Sequence, residues 1–139
     1  MRFLDRLQPI ALLVLRVVLG VVLLAHGKGK VFGGLHAHTA FVGSLGVPAW
    51  LGYFSAGTEF FGGILLIAGL LTRLVGIAVV VEMLVAIFRV HLKNGLIGSP
   101  GQEGYQLPML VGVIGFVLIW FGAGPVSLDW IFGGHRGRH

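Results

Sequence analysis

The feature that most constrains this chain is a set of four long apolar stretches, at about 10–26, 49–71, 74–90 and 105–122, separated by short segments rich in glycine and charge. A bilayer core about 30 Å thick is crossed by a helix of roughly 20 such residues. Four of them use most of a 139-residue chain and leave no room for an added soluble catalytic domain. Charged residues make up 11% of the sequence, against about 25% in soluble domains. The expected fold is an all-α integral membrane protein, a single domain over residues 1–139 built as a four-transmembrane-helix bundle.

The first stretch follows a polar start (Arg2, Asp5, Arg6, Gln8) and has Pro9 at a tolerated first-turn position. That pattern also fits a signal peptide, but Arg16 interrupts the apolar run and three more apolar stretches follow, which favours a membrane helix. Residues 27–48 read as a loop rich in Gly, His and Lys. Within it, 35–45 forms a short interfacial helix with Leu35, Phe41, Val42 and Leu45 as its apolar residues. Thr72 and Arg73 mark a tight turn, and 94–106, with five glycines and prolines, is loop chemistry. Four spans put both termini on one side. Termini inside leaves Arg2, Arg6, Arg73, Arg136 and Arg138 inside and Lys28, Lys30, Arg89 and Lys93 outside. The expected orientation has cytoplasmic termini. Glycines such as Gly62, Gly63, Gly69 and Gly76 suit close helix approach.

Cysteine is absent, which excludes disulfides, Fe–S clusters and c-type haem. The net charge of +5 is assigned to basic loops at anionic headgroups. Without a basic run interleaved with aromatics, no nucleic-acid partner is expected.

The informative residues are the charges inside the spans, each of which costs about 2.5 to 3.5 kcal/mol if it faces lipid. By helix rise Arg16 lies roughly 10 Å, Glu59 roughly 18 Å and Glu82 roughly 12 Å above the inner surface. The shared depth predicts a cluster in which Arg16 pairs with Glu59 and Glu82 completes or competes for the pairing. Two carboxylates beside one cation leave a proton on one of them. Such a group relays protons or hydrogen-bonds a quinone carbonyl, and it equally serves to fix helix register.

A second group gathers at the outer end. His26, Lys28 and Lys30 leave the first helix, and Arg89, His91 and Lys93 leave the third. His26, Lys30 and His91 are candidates for an anionic ligand, a quinone headgroup or a partner surface, with snorkelling to headgroups as the plain alternative. Two imidazoles at one depth also suit axial ligation of haem b, a reading ranked well below the others. His36 and His38, two apart with no nearby carboxylate, read as loop histidines rather than a metal site. Trp50, Tyr53, Tyr105, Trp120 and Trp130 fit interfacial belts, and His135 and His139 fall in a polar tail.

Taken in order, these residues resemble the DoxX family of small four-helix membrane proteins, over about Leu15 to Leu128. The likeness rests on Arg16 with the Gly27 and Lys30 exit, Leu45-Gly46-Val47-Pro48, and Glu59-Phe60-Phe61-Gly62-Gly63 leading to Gly69-Leu70-Leu71-Thr72-Arg73. It continues through Ala86, His91 and Gly95 to Gly122-Ala123-Gly124 and Ser127-Leu128-Asp129. One departure is Gly104-Tyr105-Gln106, where many relatives carry Gly-Tyr-Glu; Glu103 is the nearest carboxylate. The resemblance implies respiratory or redox membrane machinery, such as thiosulfate:quinone oxidoreductase, terminal quinol oxidase and complexes handling oxidative stress. The function expected is therefore an accessory or quinone-interacting subunit of an oxidoreductase complex, bound to other subunits or to copies of itself. No nucleophile–base pair or metal box marks a self-contained catalytic site. The alternatives are a structural or assembly subunit and a small-solute or proton transporter.

Overall fold

The structure is a computed structural model that describes residues 2–133; His135, Arg136, Arg138 and His139 lie outside the described residues. A short α1 (Arg2–Arg6) precedes α2 (Gln8–Phe32), then come α3 (Leu35–Ser44), α4 (Leu51–Ala68) and α5 (Thr72–Ala86). A wide π turn (Ile87–His91) and a 3₁₀ turn (Leu92–Asn94) extend α5. A small hairpin of β1 (Gly98–Ser99) and β2 (Gln102–Glu103), α6 (Gln106–Phe121) and α7 (Leu128–Gly133) complete the chain. The hairpin pairs Gly98 with Glu103 and Ser99 with Gln102, so the expected plain loop carries one antiparallel ladder.

Among the described residues, three helices are long and apolar enough to cross a membrane: Gln8–Phe32, Leu51–Ala68 and Thr72–Asn94. The protein is thus a membrane protein dominated by helices. The apolar α6 has 16 residues and is roughly 24 Å long by helix rise, short of a full hydrocarbon core.

The first long helix does not stop near residue 26 but runs to Phe32, so Lys28 and Lys30 are helical rather than in a loop. Gly27 and Gly29 look like helix breakers by water-based propensity, yet glycine is common in membrane helices. The short helix expected within 35–45 forms, and its inward face is Leu35, His38, Thr39 and Val42, at helical spacing, while Phe41 stays half exposed.

The long helices pack as two antiparallel pairs, α2 with α4 and α5 with α6, and glycine sets each crossing. A Cβ on Gly20 would sit 2.7 Å from the Gly63 carbonyl oxygen, and one on Gly63 would sit 2.7 Å from that of Gly20. In the second pair a Cβ on Gly76 would lie 2.8 Å from the Gly115 carbonyl. Gly27 lets α2 touch the Glu59–Phe60 backbone of α4, and Gly52 lets α4 touch Thr39 of α3. Leu19, Leu23, Leu66, Val75, Val79, Val111 and Leu118 fill the space between the two pairs.

Gly20→Val or Gly63→Val forces backbone apart and should abolish a monodisperse, cooperatively melting protein in detergent. Gly29→Ala meets nothing within 4 Å and should be neutral or stabilising by up to about 1 kcal/mol. Size-exclusion profiles and tryptophan-detected melting of the variants compare these outcomes.

Candidate functional site

Arg16 does not reach Glu59. Its side chain, 2% exposed, donates from Nη1 to the Ala123 carbonyl (2.7 Å) and from Nη2 to the Val126 carbonyl (2.9 Å). It lies under the turn after α4, where Gly69 has φ +75 and a Cβ would stand 2.9 Å from the guanidinium carbon. Asp129 locks the same turn: its carboxylate accepts the Leu71 and Thr72 N–H groups at 2.7 and 2.9 Å, and its own N–H donates to the Gly69 carbonyl at 2.9 Å. The carboxylate thereby caps the N-terminus of α5 and holds Leu71 at φ 54. Ser127 Oγ accepts from the Trp130 N–H and starts α7. Arg16, residues 69–72 and residues 123–129 are one interlocked end of the molecule. Sequence reading could not find this because Arg16's partners are main-chain carbonyls, which no residue identity announces.

The carboxylates sit elsewhere. Glu59 lies ten residues before Gly69 and Glu82 ten after Thr72, so both stand roughly 15 Å above that turn by helix rise. Glu59 is 5% exposed and its Oε1 accepts a 2.7 Å hydrogen bond from Lys30 Nζ, forming an ion pair. Side chains on a helix lean toward its N-terminus, so Lys30 at the end of α2 reaches back into the bundle rather than out to headgroups. Glu82 Oε1 accepts a hydrogen bond of 2.5 Å from Ser55 Oγ. Ser55 stands one helical turn before Glu59 on α4, so its bond places the Glu82 carboxyl next to that of Glu59, and Oε2 of each is buried without a hydrogen-bond partner among the described residues. Glu59 and Glu82 thus share one cluster, and Lys30 occupies the place foreseen for Arg16.

Lys30 is accordingly separated in role from His26 and His91. His26 Nδ1 contacts the Val22 carbonyl of its own helix at 2.8 Å and is exposed. His91 Nδ1 contacts the Glu103 carbonyl at 3.0 Å, which Asn94 also binds. Glu103 and Gln106 are both exposed.

His38, set aside above as a loop histidine, belongs to the cluster. Its Nε2 is buried without a partner, and Lys30 and Glu59 act on it electrostatically. Its spacing from Leu35 and Val42 on a helix was the available signal. Burial, and then Lys30, hold its pKa below the ordinary imidazole value, with Glu59 pulling the other way. Beside the site, α4 and α5 enclose a lipid-facing groove of about 560 Å³ walled by Phe54, Phe61, Leu65, Leu74, Ile77 and Val81.

The DoxX family profile matches residues 11–92. The chain belongs to the DoxX family. The matched region contains Arg16, Lys30, His38, Glu59 and Glu82, whereas the 123–129 segment lies beyond it. One relative is the "Putative oxidoreductase CatD" of Bacillus subtilis, 38% identical over 90 residues, or 65% of this chain and just under two thirds (66%) of CatD. An uncharacterized protein of Haemophilus influenzae is 32% identical over 130 residues, covering 93% of this chain and 96% of that protein. No solved structure matches.

Lys30→Met strands the Glu59 carboxylate and should cost roughly 2–4 kcal/mol; adding Glu59→Gln to it should recover most of the loss. A double-mutant cycle by thermal or denaturant unfolding measures the coupling, and additive losses would dismiss the pair as a stabilising contact.

Because His38 binds its proton more weakly when folded than when unfolded, its contribution is complete above about pH 6.5 and is lost as pH falls toward its folded value. His38→Gln should therefore flatten the melting temperature's dependence on pH between about 7.5 and 5, as read from parallel melts.

Proposed function

We propose that this DoxX-family member is a quinone-interacting accessory subunit of a membrane redox complex. In this reading it is a single four-helix domain in the bacterial cytoplasmic membrane, its termini cytoplasmic and α6 the fourth, short span. Membership of the family and the name of the CatD relative support a redox-associated membrane role. The observation that carries the finer reading is the Glu59–Glu82 pair, two buried carboxyl groups brought next to each other by Ser55, each with an oxygen that has no hydrogen-bond partner among the described residues.

These residues fit a quinone by their chemistry. A quinone headgroup offers carbonyl acceptors, and a carboxyl group that retains its proton, a serine hydroxyl and a lysine ammonium are donors suited to them. A bound quinone supplies the acceptor for two electrons, which come from a partner subunit, and two protons. Lys30 offsets the charge of one carboxylate, so the site carries a second carboxyl that can hold a proton without adding net charge. Ser55 orients Glu82. The groove between α4 and α5 gives an isoprenoid tail an apolar bed. The short α6 is matched to the bilayer by local thinning, with Tyr105 and Trp120 near its two ends.

Glu59→Gln tests this reading in the native membrane. The expected result is an assembled complex, seen by native mass spectrometry, with quinone reduction slowed on the order of ten- to a hundredfold, the scale of a lost proton-transfer group. Normal turnover per assembled complex, or loss of assembly as the sole defect, would sink it in favour of a structural subunit.

A further inference from the structure

We infer that Glu59 and Glu82 hold a single proton between them, and that His38 is the group through which this proton exchanges with water at the α3 face. Three observations meet here. Ser55, which holds Oε1 of Glu82, stands one helical turn before Glu59 on α4, so the two carboxyl groups are neighbours, and Oε2 of each is buried with no hydrogen-bond partner among the described residues. One proton between those oxygens satisfies both at once, and leaves a net single negative charge that Lys30 neutralises at 2.7 Å. Two ionised carboxylates there would leave an uncompensated charge deep in the bundle.

The third observation is His38. It stands on α3, the helix between the ends of α2 and α4, and its buried Nε2 has no partner among the described residues. Its neighbour Thr39 packs on Gly52 of α4, two turns before Glu59 on that helix, and the charged groups that act on His38 are Lys30 of α2 and Glu59 of α4. A neutral imidazole accepts a proton on one nitrogen and releases it from there. No hydrogen bond joins His38 to Glu59 at rest, so the step proposed runs through a bridging water: the N–H bond of the imidazolium breaks as the water takes that proton, the water gives up one of its own as an O–H bond forms on the Glu59 carboxylate, and His38 returns to neutral. No electrons are transferred. The reverse sequence releases the proton. His38 is here a relay rather than a catalytic residue.

The inference rests on the cluster of the quinone reading, but its test needs no quinone, so either can fail without the other. Infrared spectra of the full chain in nanodiscs at neutral pH should show the carbonyl stretch of one protonated carboxylic acid, lost in Glu82→Gln. Absence of the band in the unmodified protein, or its persistence in Glu82→Gln, would overturn the shared proton. Mixing into deuterated buffer then times exchange of that proton through the band's shift. His38→Ala should slow exchange at least tenfold, and added imidazole should restore it. An unchanged rate, or a slowed rate that imidazole does not rescue, would remove His38 from the path. His38→Gln, closer in shape, serves where the alanine variant does not fold, and the same slowing is expected.

Discussion

The arrangement depends most on where Arg16 spends its charge. A guanidinium buried in a membrane helix is tolerable only if its donors are used, and here two of them close on the carbonyls of Ala123 and Val126. Those carbonyls follow α6, a helix that otherwise packs mainly on α5. The hydrogen bonds therefore tie the first long helix to the end of the last one. Asp129 completes the tie by gripping the turn between α4 and α5. Segments far apart in sequence become one end plate from which the four helices rise.

With that end fixed, the other properties follow from the glycine crossings. Gly20 with Gly63 and Gly76 with Gly115 bring backbones together within each pair, gaining dispersion contacts where lipid supplies no hydrophobic drive between helices. The seam between pairs is less tightly built and is apolar near the end plate, where Leu66, Val75 and Leu118 meet. Farther up it turns polar, with Ser55, Glu59, Glu82 and Lys30. Rigid pairs around a polar seam hold buried acid and base groups at fixed spacing, which any proton or hydrogen-bond chemistry requires.

Much of this was legible in the residues. Apolar runs gave the long helices, and the isolated charges within them marked Arg16, Glu59 and Glu82 as special. Depth counted from the polar ends set Arg16 close to the glutamates, but in the structure its helix starts lower, so Arg16 lies at the Gly69 turn and both glutamates stand roughly 15 Å above it. Counting also says nothing about which face a residue occupies, which depends on how the helices are rotated against one another. Arg16 was matched to the wrong partner on both grounds. Lys30 was missed as that partner because Gly27 and Gly29 suggested a loop where a helix continues, and His38 because a two-residue spacing hid its helical one. The likeness to DoxX proteins named the segments 69–73 and 122–129, but only the structure shows them meeting around one guanidinium.

The inward-turned Lys30 also bears on how the protein is made. Lys30 and Glu59 are 29 positions apart, so α2 enters the bilayer before its counter-charge exists there. An ammonium without its carboxylate is costly inside the hydrocarbon core, so the inward position of Lys30 requires α4 to be in place. A count of loop charges that includes Lys30 therefore overstates by one the free positive charge that the folded protein displays at that end.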